Sequence, residues 1–330
     1  MPEIPARHGR YPIMTAVPLD SATRLPAGDT LDVRAAREFR VGHFALAASC
    51  PLAELPASLH LLPPREAPFW VFGDENEVAA ALALLRERGY EKVEAHPAVA
   101  PGAAPLAPVA SPWVSGEARV RLWRPADFLA EVLEGSQAPR APGLALDVAC
   151  GTGRNACYLA LGGFTAIGID VLPDALERAR SLADAAALAA EAHATAAALA
   201  SDPGARPGAR LSPLALVRAV SGPHWVQADA QKQWPFREGA FRLVVCFRFL
   251  WRPLFSVLAA ALAPGGALVY QTFTREQARH GKPARADFLL ESGELRESFE
   301  RLGLRTARYR EENPEGGPAL ASLWAVREGE

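Results

Sequence analysis

The 330-residue chain contains no window of about 18 uninterrupted apolar residues, which argues against a membrane-spanning helix. An excess of either charge is also missing: 35 Lys and Arg stand against 37 Asp and Glu, leaving a net charge of −2 and a pI near 6.4. The basic surplus on which nucleic-acid binding usually depends is therefore absent, and a small-molecule substrate is the expected partner, with no nucleic acid and no membrane. Cysteine is scarce: Cys50, Cys150, Cys157 and Cys246 are scattered without paired metal-ligand spacing. They read as free thiols in a reducing compartment, with no metal site. The opening MPEIPARHGRYPIM lacks the apolar core of a secretion signal, so cytoplasmic residence is expected.

Hydrophobic residues, by contrast, make up 50% of the chain, and its length suits two domains of roughly 100–200 residues each. The most informative stretch runs from Leu144 to Pro173. Leu144 to Val148 form an apolar run suited to a parallel strand buried on both faces, with Asp147 near its C-terminal end. Gly151 and Gly153 bracket Thr152 in a tight turn, where a missing Cβ lets a ligand approach the backbone. The helix that follows would point N–H groups at something polar or anionic. Thr165 to Ile169 form a second strand closing on Asp170, an acid placed to accept hydrogen bonds from a ribose diol. Because GTGRNA satisfies G-x-G-x-x-A, with Asp170 seventeen residues after Gly153, an NAD-type dinucleotide and another adenosine-bearing cofactor both remain open here.

Upstream, Thr30 to Asp32 read as a strand, followed by an amphipathic helix, a turn at Gly42-His43 and a further strand. Phe69 to Phe72 read as a buried strand, Asp74 to Glu77 as caps for a helix from Val78 to Arg88, and Tyr90 to Val93 as one more strand. The segment LDVRAAREFRVGH, followed at the right distance by strand, loop, helix and GYEKV, resembles the rhodanese family over about Ala16 to Pro97. That resemblance implies a catalytic cysteine directly after the third strand, yet Gly73 holds the position here, in a loop reading GDENEV. Glycine supplies no sulfur nucleophile, and Asp74, Glu75 and Glu77 would oppose an anion, so a rhodanese-like domain over 1–97 is expected to be inactive. Cys50 reads as a buried structural cysteine and His43 as a turn residue bonded to the backbone.

Residues 98–118, rich in proline and alanine without periodicity, read as a linker to a second domain over 119–330. A helix is expected over Arg121 to Leu133 with Pro125 in its first turn; Trp123 and Arg124 could cover the mouth of a site, and a simple docking helix is an equal alternative. An alanine-rich helix runs from Asp174 towards Leu199, with His193 as a solvated residue on it, and a loop-like insertion follows over Ser201 to Pro223. Strands then alternate with helices as in a doubly wound α/β sheet.

The ordered set LDVACGTG, GID, QADA, FRLVVCFRF and LAPGGALVY resembles class I S-adenosylmethionine-dependent methyltransferases over roughly Arg121 to Arg327. A dinucleotide oxidoreductase would be expected to lack the acid Asp229 and the PGG entry to the fifth strand. The resemblance implies a Rossmann-like sheet and assigns roles. Asp147, Ala149, Gly151 and Gly153 would shape the pocket for the methionine part of S-adenosyl-L-methionine. Asp170 would hold the ribose, Val171 and Leu172 would touch adenine, and Asp229 with the Ala230 amide would meet its amino group. Cys246, Phe247 and Arg248 would lie near the methyl donor. The C-terminal FLLESGEL is similar to methyltransferases of the tellurite-resistance type, which suggests a soft, small acceptor such as a thiol or chalcogen oxyanion.

An anionic acceptor calls for a cation, and Arg248 is the leading catalytic candidate, with Arg252 and Arg275 behind it. Tyr270 or His280 could take a proton from a neutral nucleophile. The first domain is then expected to recognise the substrate or to mediate homodimerisation. The competing reading is a two-domain protein that senses the cofactor without consuming it.

Overall fold

The computed structural model describes residues 29–44, 47–65, 67–96, 113–116, 122–135, 139, 142–186, 222–315 and 317–329. The chain divides into two compact units, one of residues 1–53 and 68–118, the other of 54–67 and 119–330. The expected insertion over Ser201 to Pro223, His193 and the far half of the alanine-rich helix lie largely outside the described residues.

In the first unit, β1 (Thr30–Asp32), β3 (Ala47–Ser49), β4 (Phe69–Phe72) and β5 (Val93–Ala95) form a four-stranded parallel sheet in the order β3-β1-β4-β5. Helix α1 (Ala36–Val41) follows β1, and α2 (Glu75–Glu87) follows β4. Helix α2 starts earlier than the apolar periodicity suggests, because Asp74 and Glu77 close a reciprocal capping box at its first turn. The fully buried Asp32 is neutralised within the fold: Arg34 pairs with it at 2.5 Å and donates onward to the Gly42 carbonyl at 2.8 Å. His43 Nδ1 lies 2.8 Å from the Phe39 carbonyl oxygen, and its ring stacks on Phe39. Within the stretch read as a featureless linker, β6 (Trp113–Val114) pairs antiparallel with β2 (His43–Phe44). Two paired residues leave no periodicity for sequence to reveal.

The second unit holds a seven-stranded sheet in the order β12-β13-β11-β10-β7-β8-β9. Its strands are β7 (Leu144–Val148), β8 (Thr165–Asp170), β9 (His224–Gln227), β10 (Phe241–Phe247), β11 (Leu262–Phe273), β12 (Leu304–Glu312) and β13 (Leu320–Arg327). The run from β11 to β9 is parallel, while β13 enters antiparallel between β11 and β12. Helices are α3 (Asp127–Glu134), α4 (Arg154–Leu161), α5 (173–186), α6 (Leu254–Ala261) and α7 (Glu294–Arg301).

Strand alternation divides the core. Leu243 and Val245 of β10 pack under α3 with Phe128, Leu129 and Val132, whereas Val244 and Cys246 pack on the other face with Leu258 of α6 and Phe299 of α7. Helix α3 begins at Asp127, so Pro125 precedes it: the Ala126 N–H is drawn to Asn155 Oδ1 of α4 at 2.9 Å. Pro264-Gly265-Gly266 is an excursion inside β11 rather than a turn into it, since Leu262 already pairs with Phe241 and the register resumes at Leu243–Ala267. From β7 the chain moves outward to β8 and β9, then β10 returns to β7's other side. The carboxyl ends of β7 and β10 thus flank a topological switch point, where open parallel sheets form their ligand crevice.

Candidate active site

At the switch point, the register sets Cys246 of β10 opposite Val148 of β7, so both strands end together. Beyond those ends, Ala149 (φ 52°) and Arg248 (φ 56°) take the left-handed conformation, the two non-glycine residues that do so among the described residues. Such a conformation costs about 1–3 kcal/mol each and concentrates at functional sites. Arg248 is held in it by its N–H, which donates to the Gln271 carbonyl at 2.8 Å, while its exposed guanidinium stands 5.8 Å above the Phe273 ring.

The two glycines of the turn do different work. Gly151 (φ 54°) faces open space, with no atom within 4 Å of where a Cβ would stand. At Gly153 (φ 75°) a Cβ would lie 2.3 Å from the Trp225 ring, and at Gly168 of β8 it would lie 2.5 Å from the same ring. Gly151 therefore leaves open space beside the loop, whereas Gly153 and Gly168 are small so that Trp225 can seat. Gly151 donates to Asp170 Oδ2 at 2.8 Å, and the Leu172 N–H donates to Asp170 Oδ1 at 2.9 Å. Asp170 thus shapes the loop while keeping further lone pairs for a ligand. Beside it Val171 and Leu172 are 50% and 55% exposed, an apolar pair left uncovered at the lip.

Asp147 is almost fully enclosed, and its carboxylate accepts the Ala156 N–H of α4 at 3.0 Å. Burial pushes its pKa up to about 8; the Ala156 bond opposes the rise, and the charge of Asp170 adds to it. Asp147 thus acts from within the core, by holding the first turn of α4. Asp229 lies on the surface beside Lys232 at 3.1 Å and receives the Gln231 N–H at 3.0 Å. The Lys232 bond leads in holding its carboxyl below the usual range. Ala230, next to it, packs against the core beneath β9.

Several expected residues have other tasks. Cys246 is wholly buried, its thiol pushed up to about 12 by burial, so only its main chain can face a ligand. Tyr270 donates to the Phe249 carbonyl at 2.8 Å from a fully enclosed position, with burial pushing its pKa well up, which removes it as a proton acceptor. Arg252 is committed to Glu294 at 2.5 Å and to the Asp287 and Leu289 carbonyls. Arg275 is paired with Glu291, and His280 is exposed at the end of the turn Arg275–Arg279. Trp123 is buried with Cys157, Leu182 and Ala186 rather than covering a mouth. Asn155 and Trp225, which fix α3 and the glycine loop, carry no motif that sequence could reveal.

Fold and site define a doubly wound α/β protein with its ligand crevice between the ends of β7 and β10. The profile of a methyltransferase-domain family matches residues 120–312. The chain belongs to that family: it is an S-adenosylmethionine-dependent methyltransferase, and S-adenosylmethionine is its cofactor. Its fold is similar to a SAM-dependent methyltransferase from Methanosarcina mazei, at 16% identity and TM-score 0.42, over 63% of this chain and 100% of that one. It is also similar to magnesium protoporphyrin IX methyltransferase from Synechocystis PCC 6803 with bound SAM, at 17% identity and TM-score 0.39, over 61% and 76% of the two chains. A TehB-like SAM-dependent methyltransferase from Corynebacterium glutamicum follows at 18% identity and TM-score 0.39, over 62% and 89%. No curated protein sequence matches the chain. Among the described residues no helix is long and apolar enough to cross a membrane.

Proposed function

We propose that the chain moves the methyl group of S-adenosylmethionine to a small, soft, anionic nucleophile, a thiolate or chalcogen oxyanion, held at Arg248. The observation that carries this reading is the pair of left-handed residues, Ala149 and Arg248, on either side of the switch point. Ala149 opens the glycine loop just past β7, and Arg248 is exposed just past the end of β10.

The residues fit the cofactor. The loop from Ala149 to Gly153 receives the methionine part, with Gly151 giving the close approach and Gly153 holding the turn through Trp225. Asp170 takes the ribose diol, Val171 and Leu172 lie against adenine, and Asp229 with the Ala230 amide meets the adenine amino group. Asp147 and Cys246 contribute through α4 and the main chain respectively. The bound cofactor supplies a methyl group on a sulfonium. Transfer is an in-line displacement that rests on alignment more than on proton removal. That suits a site where Tyr270 and Cys246 are buried and neutral.

For the first unit we propose an inactive rhodanese-like domain over 1–97, joined through 98–118 to the methyltransferase domain over 119–330. Its parallel sheet supports this, as does the crowding at Gly73, where a Cβ would stand 2.9 Å from Val33 Cγ2 and 3.1 Å from Glu77 Oε2. Its role is substrate recognition or homodimerisation. The test is S-adenosylhomocysteine release by the intact protein with a panel of thiols, selenite and tellurite. Release with one of them supports transfer; cofactor binding with no release from any would instead favour a sensor. Thiosulfate:cyanide sulfurtransferase activity would contradict the inactive assignment.

A further inference from the structure

Two large aromatic side chains are left exposed at the carboxyl edge of the sheet: Trp251 is 39% and Phe288 44% exposed. They belong to segments far apart in sequence that the fold ties together. Arg252, the neighbour of Trp251, donates to the carbonyls of Asp287 at 3.2 Å and Leu289 at 2.8 Å, the residues on either side of Phe288. Glu294 fixes that guanidinium from α7. The segment carrying Phe288 is also strapped to the end of β11, for Leu290 donates to the Phe273 carbonyl at 2.9 Å and Arg275 donates to the Leu290 carbonyl at 3.0 Å. Phe273 in turn lies under the Arg248 guanidinium.

Arg252 therefore ties together the segments that carry the two exposed rings, and the Arg285 guanidinium stands 5.3 Å from the Phe288 ring centre. A chalcogen oxyanion or short alkyl thiol has no surface to set against such rings, whereas an aromatic acceptor does. The acid–base chemistry points the same way. Tyr270 of β11 and Cys246 of β10 are enclosed, and Tyr270 spends its hydroxyl on the Phe249 carbonyl. A nucleophile that ionises unaided near neutral pH needs neither of them, and an arene thiol is such a nucleophile.

We infer that the acceptor is an anionic arene thiol whose ring is held by Trp251 and Phe288 and whose acidic substituent is received by Arg248. This rests on the methyl-transfer reading above and narrows its acceptor. The thiol proton leaves to solvent before transfer. The acceptor sulfur then forms its bond to the methyl carbon as the donor S–CH3 bond breaks, and that electron pair stays on the donor sulfur. The products are an aryl methyl thioether and neutral S-adenosylhomocysteine.

The experiment follows S-adenosylhomocysteine release from the full chain, corrected for the reaction without enzyme, with 4-mercaptobenzoate, 3-mercaptopropionate, selenite and tellurite. Cofactor binding is measured separately by calorimetry. The expected result is a kcat/KM at least about tenfold higher for 4-mercaptobenzoate than for 3-mercaptopropionate, the scale of a ring contact or two. Trp251→Ala and Phe288→Ala should each shrink that ratio several-fold through KM, while Leu302→Ala, also exposed but at the end of α7, leaves it unchanged. Equal or better turnover of the alkyl thiol or an oxyanion overturns the arene inference alone, as does a ratio untouched by both ring variants. Cofactor binding without release from any acceptor overturns the transfer reading as well, and failure to bind the cofactor overturns the site itself.

Discussion

The glycine loop offers a sharp test, because two glycines of one motif should fail in different ways when each becomes alanine. At Gly151 an alanine meets the left-handed φ of 54° but no neighbouring atom. The cost is the conformational one alone, about 1–2 kcal/mol. At Gly153 the same conformational cost is joined by a Cβ 2.3 Å from the Trp225 ring and 2.9 Å from Ala179 Cβ, neither of which can be real contacts. Relieving them requires the half-buried ring to shift, an overpacking cost of about 1–3 kcal/mol, so Gly153→Ala should lose about 2–5 kcal/mol in total. Urea unfolding of the cofactor-free protein, followed by the signal of the second unit, measures both variants, and calorimetry with S-adenosylmethionine measures binding. Gly151→Ala should remain folded with weakened cofactor affinity, whereas Gly153→Ala should be the less stable by about 1–3 kcal/mol. Replacing Trp225 by Leu in the Gly153→Ala background should return part of that difference, as a coupling between touching residues. Equal stability of the two glycine variants, or no coupling with Trp225, would refute the division of labour within the loop.

Asp170→Ala removes the acceptor of the Gly151 and Leu172 amides together with the proposed ribose partner, so cofactor affinity should fall by about 1–3 kcal/mol with the fold retained, as calorimetry and circular dichroism would show. Arg248→Gly relaxes a left-handed residue while deleting the cation. It should show a higher KM for anionic acceptors with cofactor affinity unchanged, measured by S-adenosylhomocysteine release and calorimetry; an unchanged KM would remove Arg248 from the acceptor site. Asp147 holds its proton more tightly when folded, at about 8 against an ordinary 3.8. Its contribution to stability is therefore fully present below the ordinary value and is lost as pH rises towards the folded one, with a slope of at most about 1.4 kcal/mol per pH unit. Asp147→Asn should flatten the fall in cofactor-free stability between pH 5 and 8, and an unchanged slope would count against a buried proton at that site.

Local features were the legible ones. The strand–turn–helix–strand run around Gly151 and the acid closing β8 depend on neighbours within a few residues, so composition and spacing reveal them. Side-chain parity on a strand buried on both faces does not appear in an unbroken apolar run. FRLVVCF consequently left open that Cys246 turns into the core with Val244. Long-range partners are equally silent: Arg252 looks like a free cation until Glu294, forty-two residues away, is folded beside it. The motif places Asp147 at the end of β7, but not the Ala156 amide of α4 that its carboxyl group meets there. The glycines conceal a similar ambiguity, since a missing Cβ can make room for a ligand or for Trp225, and only the packed structure separates Gly151 from Gly153.

The central claim is most directly tested by titrating the intact protein with S-adenosylmethionine and, separately, with NAD in a calorimeter, using Asp170→Ala alongside. The account predicts one S-adenosylmethionine bound per chain, weakened by that substitution, and no heat of binding for NAD. Binding of NAD, or S-adenosylmethionine affinity indifferent to Asp170, would contradict it.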